Sequence, residues 1–291
     1  MVFDLFAILW APFLMCLVLT GIHAYLGVHV LAREVVFVDI AMAQIAALGA
    51  TAAFLLGYEI EDWESYAWSL AATLLGALVL SITRSRRRNV SQEAVIGIVY
   101  AVSSAAAVLL ADRAPHGAEQ VRTMLVGNLL SVRPFEVGKV FVLYSLVGLM
   151  HWFCRRPFLL ISTDPRAAFE AGWRVRVWDF LFYASFGVVV ASSVRIAGVL
   201  LVFSYLIVPA LAGVMLGGTV AARLLIGWAF GTVVSVIGMV ASAAFDLPTG
   251  ATVVCAFGAT LIAFWVATRL SRRLAAALGA GTPAADEVGR R

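Results

Sequence analysis

The chain has 291 residues, of which 63% are hydrophobic and 13% are charged, and its mean hydropathy is +0.97. A soluble domain is typically about 45–50% apolar and about 25% charged. The composition therefore excludes a soluble protein and predicts an all-α polytopic membrane protein. The pI near 9.2 is explained by arginine in inner loops, so no nucleic-acid partner is expected.

Taken in chain order, nine apolar runs are long enough to cross the lipid bilayer, or eight if two of them merge. They cover residues 5–27, 35–57, 66–83, 93–111, 136–153, 178–194, 197–216, 224–244 and 250–268. The first run follows no basic segment, so we interpret it as a span and not as a cleaved signal peptide. One membrane domain is expected over residues 1–274, followed by a small, polar and disordered tail at 275–291.

The distribution of basic residues predicts the orientation in the membrane. If the N-terminus lies outside, 16 of the 21 Lys and Arg residues fall in inner connections and 4 in outer ones, while Lys139 sits at the edge of a span. Cytoplasmic loops are the ones enriched in Lys and Arg. The N-terminus is therefore predicted outside and the C-terminus in the cytoplasm.

Two connections contain predicted structure of their own. The outer segment 112–135 is too polar to cross the membrane, and its run "MLVGNLLSV" suits a surface or re-entrant helix. The inner loop 154–177 contains "TDPRAAFEAG", in which Asp164 or Thr163 can cap a helix that has Pro165 at its first position. A helix of about two turns, ending at Gly172, is therefore predicted on the cytoplasmic face.

Proline and glycine mark the packing of the later spans. Pro209 lies inside an apolar run, where it removes a backbone hydrogen bond and allows a kink or a break. Gly213 with Gly217, and Gly227 with Gly231, form two GxxxG motifs. Such motifs let helices approach closely, either within the bundle or at a dimer face.

The sequence carries no signature of an enzyme. It lacks the HExxH, GxSxG and Walker P-loop motifs, and its single lysine is Lys139. The chain therefore cannot be a P-loop ATPase, and no cofactor is expected in it. Any energy from ATP must come from a partner chain that binds the nucleotide.

Asp39 and Gln44 lie inside the second apolar run. An ionisable side chain in a membrane is costly and indicates a functional site by default. The alternatives are that Asp39 pairs with Arg33 or Arg195 or lies at the inner interface, and that Gln44 joins two helices.

His23 and His29 lie in and just after the first run, six residues apart, and so face different directions on a straight helix. Either histidine could meet Asp39 on the neighbouring span. The alternative is that each makes hydrogen bonds to lipid headgroups or to the backbone near the membrane interface.

Five blocks in the correct order resemble one family, the membrane permeases of ABC importers for zinc, manganese or iron(II). The resemblance covers residues 20–268. The blocks are "GIHAYLGVHVLAREVVFVDIAMAQIAALGA", "SQEAVIGIVYAVSSAAAVLL", "MLVGNLLSV", "LLISTDPRAAFEAGWRVRVWDFLFYASFGVVVASSVRIAGVLLVFSYLIVPALAG" and "DLPTGATVV".

The resemblance implies a bundle like that of type II ABC importer permeases, in the bacterial cytoplasmic membrane. Two copies of the permease would form the pathway, a cytoplasmic ATPase dimer would drive it, and an extracytoplasmic binding protein would deliver the metal. The helix that includes Asp164, Pro165, Ala168 and Gly172 would be the coupling helix that docks on the ATPase. Pro209 would line the pathway near the dimer axis.

This sequence departs from the metal-site pattern of the family. The familiar pattern is an Asp followed by a His four residues later, a pair that suits zinc or manganese. Here Ala43 lies four residues after Asp39, and alignment on Gly49 places Gln44 at the His position and Ile40 at the Asp position. The expected site is thus Asp39 completed by His23, His29 or Gln44.

An Asp with an amide oxygen would be a harder site, leaning towards manganese or iron. The leading hypothesis is therefore a permease subunit for divalent metal import, acting by alternating access. Two alternatives stay open at this point: a type II ABC permease for a metal chelate or another small ligand, and a passive channel or secondary cation carrier that uses Asp39 as its coupling group.

Overall fold

A computed structural model describes residues 2–59, 62–84, 91–113 and 124–279, with side chains described between residues 9 and 271. The regular structure within this part is helical. Its helices are α1 (Val2–Ala32), α2 (Val38–Leu55), α3 (Trp63–Ile82), α4 (Gln92–Ala111), α5 (Pro134–Phe153), α6 (Arg155–Thr163), α7 (Pro165–Glu170), α8 (Val175–Ala197), α9 (Val199–Leu216), α10 (Val220–Phe245) and α11 (Thr249–Gly279). Helix α11 extends past the predicted boundary at residue 274, and the rest of the predicted tail lies outside the described residues.

The number of spans agrees with the sequence prediction. Within the described part of the chain, 8 helices are long and apolar enough to cross a membrane. A ninth span is possible if α5 and α6, which are bent by 77° at their junction, cross together. The predicted all-α polytopic membrane fold with eight or nine spans is therefore confirmed.

The helices divide into a centre and a periphery. In α1 and α8 the share of buried span residues is 67%, whereas in α4 and α11 it is 22% and 17%. The exposed side chains of the outer helices are mostly large and apolar, as lipid or another apolar surface requires. The candidate site residues described below lie on or against the central helices.

The two GxxxG motifs pack within the chain. A Cβ at Gly213 or Gly217 would overlap the Arg223 region of α10, so α9 and α10 are in close contact there. A Cβ at Gly227 would press on the backbone of α9, and one at Gly231 on a side chain of α1. These approaches support the interpretation that the motifs are contacts inside the bundle.

Pro209 lies in a continuous helix. Helix α9 runs unbroken from Val199 to Leu216, so the break that the sequence allowed is not observed. Pro209 is buried, with its carbonyl group next to Gly227 and its ring next to Gly231. The absence of a side chain at Gly231 leaves room for the ring, and the predicted role of Pro209 in lining a pathway stays a prediction.

The polar outer segment has little helix in its described part. Residues 114–123 of this segment lie outside the described residues. Residues 124–126 are helical, and Leu129–Ser131 form one 3₁₀ turn. The Asn128 amide donates to the Ile196 carbonyl at 3.0 Å, which fixes the segment to the end of α8.

A candidate ion-binding carboxylate and its surroundings

Asp39 is a fully buried carboxylate in the first turn of α2, with 0% of the residue exposed. Neither of its oxygens accepts a hydrogen bond from the part of the chain that the structure describes. Arg33, which could have paired with it, instead forms an ion pair with Asp179. A buried carboxylate without a partner is costly, so Asp39 must either carry a proton or meet a cation.

A tight turn places Asp39 at the start of α2. The chain leaves α1 through Glu34, whose φ of +57° is left-handed, and the Val35 amide donates back to the Val30 carbonyl at 3.2 Å. Phe37 occupies the N-cap and offers no side-chain acceptor to the first helical amides. The positive end of the α2 dipole therefore favours negative charge at Asp39.

Gln44 is half-buried on α2, five residues after Asp39. Five residues correspond to about 140° of rotation around an α-helix, so the two side chains leave the helix on different faces. Gln44 can join Asp39 around one ion only if its flexible side chain reaches back over the helix surface.

The two histidines of α1 have protein partners. His23 is fully buried; its Nδ1 lies 2.9 Å from the Leu19 carbonyl oxygen and its Nε2 lies 3.3 Å from the Ser193 hydroxyl of α8. The Nδ1 of His29 lies 2.9 Å from the Ser162 hydroxyl of α6. The histidines thus face α8 and α6, in agreement with the different directions predicted for them on α1.

No group of three or more His, Cys, Asp and Glu side chains that could hold a metal ion occurs among the described residues. Asp39, His23 and His29 are therefore not gathered around one point in this structure. Their role as ligands, together with that of Gln44, stays a prediction.

A third buried histidine was not singled out from the sequence. His151 of α5 lies 2.8 Å from the Ser185 hydroxyl through Nε2 and 3.2 Å from the Tyr25 hydroxyl through Nδ1. Its ring centroid is 6.5 Å from that of His29. Because His151 is far in sequence from Tyr25 and His29 of α1 and from Ser185 of α8, no spacing pattern predicts that these side chains lie together.

An inner polar cluster, formed by His29, Arg33, Arg84, Ser162 and Asp179, joins four helices at the ends that are predicted to be cytoplasmic. Arg33 Nε donates to Ser162 Oγ at 2.8 Å, and Arg33 Nη1 donates to Asp179 Oδ1 at 2.6 Å. Arg84 Nε lies 3.4 Å from the other oxygen of Asp179. The Arg33 and Asp179 side chains are 0% exposed, so the ion pair between them is fully buried.

The predicted capped helix is present as α7. The Asp164 carboxylate accepts a hydrogen bond from the Ala167 amide at 3.0 Å, and Pro165 occupies the first helical turn. Thr163 is not the cap, since its hydroxyl donates to the Leu159 carbonyl within α6. Gly172 follows the helix with a φ of +75°, a left-handed conformation that glycine adopts without strain.

Helix α7 rests on a small apolar core of its own. Ala168 is fully buried against Ile161 of α6 and Val175 of α8. Ala168 therefore holds the buried face of α7 against α6 and α8. The exposed face carries Arg166 and Glu170, which a partner would contact. Helix α6, which was predicted only as part of a loop, is the platform on which α7 sits.

An outer cavity of about 770 Å³ opens between the ends of α2, α3, α5 and α8, on the side predicted to be outside. Its charged lining residues are Arg133, Glu136, Lys139 and Arg195. Among the described residues, three cationic groups face one carboxylate, which makes the potential unfavourable for a bare divalent cation. The sequence alone does not predict that these four residues line one cavity, because they come close together only in the folded protein.

The chain is similar to two manganese transport proteins. It is 27% identical over 180 residues to the manganese transport system membrane protein MntC of Listeria innocua, covering 62% of this chain and 63% of that one. It is 22% identical over 244 residues to the manganese import system permease protein ScaB of Streptococcus parasanguinis, covering 84% and 85%. The match to MntC thus spans less than two thirds of that relative.

A solved structure shares the fold. The structure described as PsaBC from Streptococcus pneumoniae in complex with Fab superimposes with a TM-score of 0.74 at 18% identity, covering 90% of this chain and 94% of that chain. At this identity the likeness concerns the helical architecture alone.

The sequence model of the ABC 3 transport family matches residues 6–267, which is nearly the whole membrane domain. The resemblance to ABC importer permeases is thereby confirmed. So is the prediction that the chain is a transport component and not an enzyme. The chain belongs to the ABC 3 transport family.

Proposed function

We propose that this chain is the membrane-spanning permease subunit of an ATP-driven importer of divalent transition metal ions: manganese, iron or zinc. The family match supports transport, and the names of MntC and ScaB support a metal substrate, with manganese the first candidate. The observation that carries the ionic part is Asp39, a buried membrane carboxylate with no protein partner among the described residues. Such a group gains most from a dehydrated cation.

In this proposal the pathway alternates between outward- and inward-open states in a homodimer of permeases. The metal is the substrate, and Asp39 neutralises part of its charge while water is removed. Gln44, His23 and His29 complete the coordination only when α1 shifts relative to α2, because each histidine is engaged elsewhere in this conformation. Imidazole, amide and carboxylate donors together suit a borderline divalent ion.

The energy comes from a cytoplasmic ATPase dimer that binds the ATP. Helix α7, with Asp164, Pro165 and Gly172 defining its ends, is the proposed docking element, and its exposed face carries Arg166 and Glu170. An extracytoplasmic metal-binding protein delivers the ion from the other side of the membrane. The N-terminus then lies outside and the C-terminus in the cytoplasm of a bacterial cell.

The test is metal accumulation in cells that express the complete transporter. Cells limited in turn for manganese, iron and zinc carry wild type, Asp39→Asn or Asp112→Asn, and metal content is measured by elemental analysis. Asp112 is an exposed carboxylate at the end of α4 and is therefore the matched control. We expect Asp39→Asn to lower the accumulation of one metal at least about tenfold, the equivalent of about 1.4 kcal/mol, with Asp112→Asn unchanged.

Permease abundance in the membrane is measured in the same cells by immunoblotting. A loss of one metal at normal abundance identifies both the substrate and the role of Asp39. Normal accumulation of all three metals with Asp39→Asn would reject Asp39 as an ion ligand.

A second candidate function is the import of an anionic metal chelate. The three cationic groups against one carboxylate in the outer cavity favour it, because they attract an anion and repel a bare metal ion. Uptake of manganese into vesicles, alone and as its citrate complex, separates the two functions. Transport of the complex but not of the free ion would establish the chelate.

A further inference from the structure

The segment that carries α7 is tied to α1 through one buried hydroxyl. Ser162 is 2% exposed and lies two residues before Asp164, the residue that caps α7. Its Oγ accepts from Arg33 Nε at 2.8 Å and lies 2.9 Å from His29 Nδ1. Because the hydroxyl accepts from Arg33, its own hydrogen is free to be donated to the imidazole.

Arg33 is in turn held from two further sides. Its Nη1 donates to Asp179 in the first turns of α8 at 2.6 Å, and its guanidinium lies 3.9 Å above the Phe182 ring. Arg84, at the end of α3, approaches the same carboxylate at 3.4 Å. Charged hydrogen bonds with this geometry and burial keep their groups in a fixed arrangement.

The segment formed by α6 and α7 packs against the bundle at two places. Ile161 and Ala168 form a small apolar core with Val175 of α8, and Phe158 of α6 belongs to the main core. A displacement of α7 therefore reaches α6 through the contact between Ala168 and Ile161. Ser162, next to Ile161, is the residue through which α6 is hydrogen-bonded to the end of α1.

On the other side of Arg33 the chain leads directly to the candidate ion-binding residue. Arg33 is followed by the left-handed Glu34 and a short turn, after which Asp39 lies in the first turn of α2. A displacement of Arg33 therefore moves both the end of α1, with His29, and the start of α2, with Asp39. The contiguous route runs from α7 through Ser162 and Arg33 to Asp39.

We propose that Ser162, Arg33 and Asp179 are positioning residues that couple movement of α7 to the ends of α1 and α2. This inference rests on the proposed function, in which α7 receives the ATPase. ATP binding shifts α7, the inner polar cluster carries the shift to α1, and the surroundings of Asp39 change. A contiguous network of hydrogen bonds and ion pairs that keeps its arrangement carries such a displacement from one helix end to the next.

The experiment uses the complete transporter, permease with ATPase, in liposomes with its binding protein. Mn²⁺ uptake and ATP hydrolysis are measured in the same vesicles, and their ratio is the readout. Ser162→Ala removes both hydrogen bonds. Because the hydroxyl is neutral, its removal leaves no charge without an opposite charge. We expect the number of ions taken up per ATP to fall at least about fivefold, the lower end of typical coupling between sites, while hydrolysis continues.

Thr163→Ala is the matched control. Thr163 neighbours Ser162, is exposed, and spends its hydroxyl on the Leu159 carbonyl of its own helix at 2.8 Å. It should keep the wild-type ratio. Ser162→Thr retains the hydroxyl and should restore most of the coupling, which separates loss of the hydrogen bonds from general damage at the site.

The outcomes distinguish this inference from the proposed function. If the wild-type transporter shows no ATP-dependent uptake of Mn²⁺, Fe²⁺ or Zn²⁺, or if no ATPase co-purifies with it, the proposed function fails and this inference fails with it. If the wild type is ATP-driven but Ser162→Ala keeps the wild-type ratio, or loses uptake and hydrolysis in proportion, the inner polar cluster has no coupling role and the proposed function stands.

Discussion

Two aspartates of this protein are equally buried and yet differ in the partners of their carboxylates. Asp39 and Asp179 are each 0% exposed, the first in the opening turn of α2 and the second in the opening turns of α8. Asp179 lies between Arg33 and Arg84, whereas neither oxygen of Asp39 has a partner among the described residues. Burial alone therefore does not tell a structural carboxylate from a functional one.

The two aspartates differ in the groups that compensate the negative charge of the carboxylate. At Asp179 the protein itself supplies the opposite charge, through Arg33 and Arg84. At Asp39 the described part of the chain supplies only the start of a helix dipole, which is worth at most about 2 kcal/mol. Under the proposed function, a transported cation supplies the remaining compensation.

The largest expected effect on stability is that of Asp179→Ala. Removing this carboxylate leaves Arg33 buried with no opposite charge, and breaking a buried ion pair in this way costs about 3–5 kcal/mol. We expect a markedly lower unfolding temperature in detergent, followed by circular dichroism. Asp112→Ala, an exposed carboxylate at the end of α4, provides the control.

A loss below about 1 kcal/mol for Asp179→Ala, the range of exposed ion pairs, would contradict the comparison. It would mean that Arg33 reaches water or another acceptor, so that the inner polar cluster is not a fixed part of the fold. Asp179 would then be no more structural than Asp39.

Local chemistry explains what could be predicted from the sequence. The order Asp164, Pro165 and Gly172 specifies a cap, a first turn and a left-handed end, all within nine residues, and α7 has these bounds. Apolar run lengths likewise predicted eight or nine spans. Both kinds of signal depend only on neighbours along the chain.

Long-range pairing explains what could not be predicted. Arg33 and Asp179 are 146 residues apart, and nothing in either local sequence names the other. Arg33 was considered as a partner of Asp39, which is close in sequence, but the turn at Glu34 leaves Arg33 facing α8. Helix α6 was missed because its "RRPFLLIST" is too polar and short for a span and begins with two arginines and a proline.

An intermediate effect is expected for Asp164→Ala. This carboxylate is exposed and caps α7 through the Ala167 amide, and loss of such a cap costs about 1 kcal/mol. We expect faster hydrogen exchange confined to residues 165–170, measured by mass spectrometry, with the bundle unaffected. Exchange that is unchanged there would show that the apolar contacts of Ala168 alone hold the helix.

The smallest expected effect on stability is that of Asp39→Asn. Asparagine has nearly the same size, and the change breaks no hydrogen bond because the carboxylate makes none among the described residues. It also removes an ionisable group whose burial is costly. The unfolding temperature should therefore stay equal to that of wild type or rise slightly, corresponding to less than about 0.5 kcal/mol, while metal uptake is lost.

A destabilisation as large as that of Asp179→Ala would contradict this, because it would require a stabilising partner for Asp39 from a second copy of the chain or from lipid. Asp39 would then be a structural carboxylate like Asp179, and the transported ion would have to be bound elsewhere.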